Sequence, residues 1–483
     1  MTKRNRKRAA LKRLRRQAVE FDFDGGTLTS DAGLLLLREV DQRLGLIRRV
    51  DACIADPRDP IYTAHPQAEI LTSRIFGIAA GYEDGNDHAH LRHDAAFQVA
   101  AGRTPAQNDY DSDEHFPLAS PSTHSRFENR VDRKAMLAIH EEIVNTFLDS
   151  YEKPPEEITL DYDATDDPTH GNQDKNYFNG FYDGHCFLPL YVFCGYQLLV
   201  AYLRPSSFGA AHHARAVTKL LVQKIRSRWP ETKIILRGDG GYSDERLMRW
   251  CDKNDVYYVF GLPKNNVLIR NIACEMTRAR LEHLKFKSTR TLFKWFRYRT
   301  QETWDRHRWV LGKAEHGDKG ANPRFVVTNL PSAQGIVEPT YHRPRVDGKQ
   351  VRQILDPGTI CSVAWNPKDF YRERYCQRCE MENRIKEQQM CLFADRTSCT
   401  DFMANQFRLI LSSLAYVLVD GIRRLALQGT THARMRVDTI RLRLFKIAAR
   451  VRVTCRRVIF HLPTHCPSAS LFNEVMARLC RSD

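Results

Sequence analysis

Three groups of residues combine types and spacings that suit metal-assisted chemistry on phosphate esters. The first is Ile158-Thr-Leu-Asp161-Tyr-Asp163-Ala-Thr165, an apolar run closing on two carboxylates with period 2, which places both on one face of a strand. Burying such a pair is costly unless a cation or a proton offsets the repulsion. The second is Ile234-Ile-Leu-Arg237-Gly-Asp239-Gly-Gly, an apolar strand ending at an aspartate, followed by glycines that allow a ligand or phosphate backbone to approach. The third is Tyr375-Cys-Gln-Arg378-Cys-Glu380-Met-Glu382-Asn-Arg384-Ile-Lys386. On a helix turning ~100° per residue, Arg378, Glu382 and Lys386 fall at about 300°, 340° and 20° from Tyr375. One narrow face thus carries a phenol, two cations and a carboxylate, whereas Glu380 and Glu387 fall on roughly the opposite side and are expected in solvent. Two-metal phosphoryl transfer needs hard oxygen ligands converging on cations ~3.5 to 4 Å apart. Each group alone also has an ordinary reading: a solvated acidic strand end, an Asp-Gly turn, or a surface stripe of i,i+4 ion pairs.

The elements that must position these residues are legible in the hydrophobic pattern. Short apolar, partly β-branched runs at Ile158 to Tyr162, Phe187 to Val192, Gln197 to Leu203, Lys233 to Leu236 and Val256 to Leu262 read as strands of one sheet. Helical periodicity at Ala210 to Arg228 and Asp244 to Asp252 makes the block an α/β unit. Before it, helical patterns dominate from Leu28, with Thr29, Ser30 and Asp31 as candidate caps, to a long helix ending near Ser150. Ala119 to Val131 fits either DNA contacts or plain scaffold. After it, residues 264–365 are polar, basic and aromatic, with alternating runs at Leu292 to Thr300 and Arg324 to Leu330 that suggest an added strand-rich module. Helix returns from Arg372 to Cys391, and an apolar helix from Phe407 to Leu425 follows. The expected divisions are a basic arm (1–24), a helical DNA-binding region (25–152), a core in two parts (153–263 and 366–430), the strand-rich insertion (264–365) and a basic C-terminal region (431–483).

Composition points to a polyanionic partner. Among 483 residues, 74 are Lys or Arg against 58 Asp or Glu, a formal charge of +16, far beyond what solubility requires. The basic residues concentrate at Lys3 to Arg16 and again from Arg434 to Arg457, where Asp438 is the single acid. Nucleic acid fits better than a membrane, because by its composition no apolar run approaches the ~20 residues that span a bilayer. Thirteen cysteines, an odd number without a secretory signal, suggest reduced thiols and a cytoplasmic location. Cys376 and Cys379, separated by two residues on a helix, suit packing better than zinc. His170 beside Asp166 and Asp167 fits a turn better than an acid-base role.

In order and in kind, Asp163, Asp239 and the Tyr375-x2-Arg378-x3-Glu382 run resemble the DDE transposases of bacterial insertion sequences, whose third carboxylate lies in a YREK signature. More closely, Asp161-Tyr-Asp-Ala-Thr-Asp-Asp-Pro-Thr-His-Gly, Arg237-Gly-Asp-Gly-Gly and Glu382-Asn-Arg-Ile-Lys-Glu are similar to the group called transposase DDE domain group 1. The likeness runs from Gly25 to about Pro467. It implies an α/β fold with an RNase-H-like, retroviral-integrase-like core, a β-rich insertion and a helical N-terminal DNA-binding region. It also implies that Asp163, Asp239 and Glu382 hold two Mg²⁺ ions, with Mn²⁺ able to substitute. Asp161 is the alternative first acid; Asp163 is preferred because the family's aspartate commonly precedes a small residue and Thr. The signature's lysine falls seven residues after the glutamate, where this chain has Gln389, so Lys386 is the candidate for its role.

The implied activity is cleavage of the terminal inverted repeats of an insertion sequence and their joining to target DNA, with a homodimer pairing two ends. Tyr375, Arg378 and Lys386 would contact the phosphates. Trp295, Arg297 and Arg299, near Trp304 and Trp309, would stack on an unpaired base or bind backbone, or form a small core. A nuclease or resolvase that cuts without joining, and a transposase-derived protein that only binds DNA, are the competing readings. Presence of all three acids weighs against the second.

Overall fold

The computed structural model describes residues 9–105, 117–330, 340–342, 345–346, 349–350, 353–356 and 366–480. The strands of the central sheet are Glu157–Ala164 (β1), Leu190–Cys194 (β2), Gln197–Tyr202 (β3), Lys233–Gly238 (β4), Tyr257–Leu262 (β5), Arg290–Tyr298 (β6), Arg308–Gly317 (β7) and Arg324–Thr328 (β8). Their order across the sheet is β6-β7-β8-β5-β4-β1-β2-β3, and Gly320–Ala321 adds a short ninth strand beside β7. β2 runs antiparallel to both β1 and β3, while β4 is parallel to both β1 and β5. The central position of β4 explains its sequence, because a strand covered on both faces reads as an apolar run rather than an alternation.

Alternation decides what each face meets. Ile158, Leu160 and Tyr162 of β1 join Leu190 and Val192 of β2 and Ile234 and Leu236 of β4 in one core. That core is closed by the helices Arg133–Leu148 (α1), Ala214–Arg228 (α2) and Glu245–Lys253 (α3). Tyr191 and Phe193 point the other way, into a second core with the helices Cys379–Leu392 (α4) and Phe402–Ile422 (α5). Asp161 and Asp163, out of phase with the apolar residues of β1, therefore share the side of the sheet that faces α4. Asp132, Asp244 and Asp401 cap α1, α3 and α5 by accepting backbone N–H bonds of 2.7 to 3.0 Å.

Several expectations need correction. Of the described strands in 264–365, β8 pairs antiparallel with β5, and β7 and β6 follow outward, so these three extend the central sheet, while Thr340–His342 pairs with Gln353–Asp356 and Arg345–Val346 with Lys349–Gln350 outside it. Long-range pairing of this kind leaves no local trace in sequence. A helix, Ala273–Phe286, precedes them. The basic arm is only partly open to view, since residues 1–8 lie outside the described residues, but Ala9–Leu14 pairs with Gln17–Phe21 as an antiparallel ribbon. The two chain ends are not separate regions. Ala449–Thr454 pairs with Leu28–Thr29, and Leu471, Phe472 and Val475 share one core with Leu34, Leu37 and Val40. Asp31 caps no helix; buried, it binds the Lys446 ammonium at 2.7 Å and the Tyr82 hydroxyl at 2.8 Å. One helical stretch, Phe402–Leu427, is long and apolar enough to cross a bilayer, contrary to the expectation, and 89% of its most apolar window is buried inside the protein as the axis of the second core.

Glu387 also departs from expectation. Its side chain is 2% exposed and lies between Arg384 and Arg423, themselves 7% and 4% exposed. The face of α4 that a helical wheel sends to solvent is covered by the end of α5, with the Arg384 guanidinium stacked 3.5 Å from the Tyr196 ring centre. This buried pairing ties the helix carrying Glu382 to the scaffold. Removing Glu387 leaves buried Arg384 with only the exposed Glu380 and buried Arg423 with Asp420 at 3.6 Å, and breaking a buried pair of this kind costs ~3 to 5 kcal/mol. Glu387→Ala is thus expected to lower the free energy of urea unfolding by that order, whereas Glu380→Ala, on an exposed partner of Arg384, changes it by less than ~1 kcal/mol.

Candidate active site

Parallel pairing of β1 with β4 sets Asp161 opposite Arg237 and Tyr162 opposite Gly238, so the next step beyond the strands brings Asp163 and Asp239 to the same end of the sheet. Asp161 and Asp163 then part ways. The Arg237 guanidinium donates to both Asp161 carboxylate oxygens, at 2.5 and 2.8 Å. Burial raises the Asp161 pKa and the Arg237 contacts oppose that shift. Asp163 accepts from its neighbour's backbone, Ala164 N–H at 3.0 Å, and has the Arg378 guanidinium at 3.9 Å. Asp239 caps the turn Gly240–Tyr242, accepting from Gly241 N–H at 2.9 Å.

The third group arrives on a helical segment that changes pitch as it enters the site. Pro367–Asp369 is followed by a π-helical turn at Phe370–Tyr375 and a 3-10 turn at Cys376–Arg378 before α4 begins. A π turn is uncommon and often marks a functional site. Here it is packed on the sheet by a cluster of Phe370, Tyr371, Tyr375, Phe293 and Trp295 above Ile235 and Val259. The Tyr375 hydroxyl passes over Gly261 of β5, where a Cβ would lie 2.7 Å from that oxygen and 2.8 Å from Gly240 N. No other residue fits there, so Gly261 is what permits Tyr375 and the Asp239 turn to meet. Arg378 lies 3.6 Å from Glu382 one turn along the helix and reaches back to Asp163.

Electrostatically the site is short of positive charge. The Asp163 carboxyl is pushed up to about 7, by burial first and then by Asp239 and Glu382, against the opposing pull of Arg378. Against the lowering effect of burial, Asp163, Asp239 and Glu382 help raise the Arg378 pKa, and Asp239 adds to the burial that raises that of Tyr375. A carboxyl that keeps its proton for want of a counter-charge, flanked by two more carboxylates, is the donor set a hard divalent cation takes. Among the described residues no three His, Cys, Asp or Glu side chains are close enough to hold an ion between them, and Arg378 stands between Asp163 and Glu382. The donor types fit such an ion.

The other residues singled out in the sequence fall as follows. Lys386 is exposed on α4, and Gln389, at the signature's lysine position, donates to the Asp166 carbonyl at 3.0 Å. Trp295 is only partly exposed: its ring meets Phe370 edge-on at 5.0 Å, supporting the π turn. Trp304 is buried in the first core, while the Arg297 guanidinium lies 5.1 Å from the Trp309 ring centre and Arg299 is exposed. His170 is exposed in a turn, with its backbone N–H donating to Gln173. Sequence reasoning gave no role to Arg237, Gly261 or Tyr182, whose hydroxyl donates to the Ala164 carbonyl at 3.5 Å. Arg237 had a signal, lying two residues before Asp239 on the same strand face; the other two had none.

The sequence profile described as transposase DDE domain group 1 matches residues 11–483. The chain belongs to that family. It is a DDE transposase, an enzyme of DNA cleavage and strand transfer. No curated protein matches it. Among solved structures it is similar to a piggyBac transposase determined by cryo-EM in a synaptic complex with hairpin DNA. That match has 11% identity and a TM-score of 0.41, and covers 86% of this chain and 79% of the other.

Two outcomes follow for the transposase. Because the folded pKa of Asp163 lies above its ordinary value, the folded state keeps a proton that the unfolded chain has released between about pH 4 and 7. Stability without metal falls as pH rises through that window. Asp163→Asn removes the penalty, so its melting temperature should exceed that of the parent by a few degrees at pH 8, the gap closing toward pH 4. Gly261→Ala should keep the far-ultraviolet circular dichroism of the parent and slow DNA cleavage by about 100-fold, the usual effect of displacing a catalytic group by roughly 1 Å.

Proposed function

We propose that the transposase cuts the terminal inverted repeats of an insertion sequence and joins the freed ends to target DNA, using Asp163, Asp239 and Glu382 as ligands for two Mg²⁺ ions. The β3-β2-β1-β4-β5 order, with an antiparallel first half and parallel β1, β4 and β5, supports an RNase-H-like core with β6 to β8 as its insertion. The single observation that carries the reading is the meeting of Asp163, Asp239, Arg378 and Glu382 at one end of that sheet, with Asp163 under-compensated in charge. Asp161 is set aside as a ligand because Arg237 already occupies both its oxygens.

When bound, the two cations supply Lewis acidity at the attacking and leaving oxygens. The chain's own residues do the rest. Asp163, ionised, would be one ligand of a cation. Arg378, between Asp163 and Glu382, is placed to donate to a nonbridging phosphate oxygen. Tyr375, held over Gly261, orients Arg378 and limits water around the reacting phosphate. Lys386, one turn beyond Glu382, contacts phosphate further along the strand, and Arg297 and Arg299 at the sheet's outer edge add backbone contacts. The Arg434 to Arg457 patch supplies salt-dependent affinity. Pairing two ends favours a homodimer, and the reduced thiols suit a bacterial cytoplasm.

The test is incubation of purified transposase with labelled DNA flanking its own gene in Mg²⁺ or Mn²⁺, comparing parent with Glu382→Gln. Expected are cuts at paired inverted repeats and strand-transfer products that fall at least about 1,000-fold in the variant, as for loss of a transition-state contact. Binding without cutting or joining under either metal would refute the proposal.

A further inference from the structure

The chain that leaves β1 with Asp163 soon carries another acid into the interior. Asp167 lies in the short strand Asp167–Pro168, which pairs antiparallel with Gly184–Phe187 and sets it opposite Phe187. Its side chain is fully buried. Thr397, in the segment after α4, donates its hydroxyl to Asp167 Oδ2 at 2.8 Å. Oδ1 has no hydrogen-bond partner among the described residues, and neither has the Tyr191 hydroxyl, which is also fully buried and lies in the field of Asp167. Tyr191 stands opposite Asp163 in the β1–β2 register. Asp167 thus bonds to the chain that follows the Glu382 helix and acts on the strand neighbour of Asp163.

The surroundings decide its charge. Asp166 faces it from its own loop, Asp395 from the segment after α4, the Tyr191 phenol from β2 and the Cys186 thiol from the paired strand. No cation offsets Asp167 among the described residues; Arg396 acts on Asp395 instead and pairs with Glu83. Burial pushes the phenol and the thiol up, so both stay neutral beside it. The contrast with Asp161 is direct. There the Arg237 guanidinium meets both carboxylate oxygens, whereas Asp167 has one hydroxyl donor on one oxygen. A buried carboxylate needs a counter-charge or several donors, and without them the neutral acid is the cheaper form. Burial, with Asp395 and Asp166, accordingly pushes the Asp167 carboxyl up to about 8.

We propose that Asp167 is a positioning residue that works as the neutral acid, accepting from Thr397 and so holding the loop after Asp163 against the chain that follows the Glu382 helix. Gln389, donating to the Asp166 carbonyl at 3.0 Å, and Gln173, donating to the Cys399 carbonyl at 2.8 Å, complete the same seam. Ionised, Asp167 would set a buried charge beside Asp166 and Asp395 and push the two segments apart. A displacement of ~1 Å at the carboxylates they carry is worth about 100-fold in rate. The inference rests on the transposase reading and places opposite demands on two nearby acids. Asp163 must ionise to serve as a ligand; Asp167 must not.

The experiment is the single-turnover rate at which the full chain cuts labelled DNA flanking its gene in Mg²⁺, followed across pH for the parent and Asp167→Asn. The parent is expected to lose roughly tenfold per pH unit above about 8. Asp167→Asn, uncharged at every pH and still able to accept from Thr397, should match the parent within about twofold at pH 7 and show no alkaline fall. A fold control uses melting in EDTA. Because the folded carboxyl holds its proton up to about pH 8 and the unfolded one releases it near pH 4, the parent loses stability as pH rises through that window. Asp167→Asn should therefore melt above the parent at pH 8 and meet it near pH 4. The proposal is overturned if the two rate profiles coincide, if Asp167→Asn is inactive at pH 7, or if it melts below the parent at pH 8. Cutting by the parent with no alkaline fall sinks the role of Asp167 alone, and no cutting by the parent at any pH sinks the transposase reading with it.

Discussion

The parallel register between β1 and β4 is the constraint on which the site depends. Asp161 and Arg237 stand opposite one another in that register, and their bidentate ion pair is buried, 5% and 11% exposed. A slip of one residue would turn every side chain of β1 to the wrong face and would leave both charges unpaired in the interior. The pair thus costs desolvation but specifies one alignment, and in that alignment Asp163 and Asp239 leave the sheet side by side. Two carboxylates that share one face of a strand in sequence are divided into a structural member, Asp161, and an under-compensated one, Asp163.

The helix bearing Glu382 is held by contacts on three sides. The aromatic cluster seats the π turn on β4, β5 and β6; Glu387, with Arg384 and Arg423, ties α4 to the end of α5. The third side joins the loop after β1 to the segment after α4. Thr397 donates to Asp167, Gln389 to the Asp166 carbonyl and Gln173 to the Cys399 carbonyl. Asp167, pushed up to about 8 by burial and the nearby Asp395 and Asp166, is part of that seam. First and third carboxylates are therefore positioned by elements that bond directly to each other as well as through the sheet.

The strands of the core were legible because β-branched apolar runs bounded by turn residues have few other uses; β1 to β5 fall where the runs at 158–162 to 256–262 indicated. Asp163 and Asp239 stood out for the same reason, since carboxylates at the ends of apolar runs need an explanation, and Glu382 stood out by the polar helix face it shares with Tyr375, Arg378 and Lys386. What stayed hidden was set by distant partners. Nothing local says that β8 pairs with β5, that α5 covers the face of α4 bearing Glu387, or that Phe370 covers Trp295. The two arginine-rich ends likewise gave no sign that Ala449–Thr454 would pair with Leu28–Thr29.

The central claim is that Asp163, and not Asp161, binds the catalytic cation. Cysteine in place of a true ligand disfavours Mg²⁺, a hard ion, more than the softer Mn²⁺. The measurement is DNA cleavage by Asp163→Cys and Asp161→Cys in each metal. Activity of Asp163→Cys that is lost in Mg²⁺ and recovered in Mn²⁺, with Asp161→Cys showing no such dependence on metal, is the predicted result. Recovery by Mn²⁺ in Asp161→Cys alone would contradict the assignment and the division of roles that the β1–β4 register imposes.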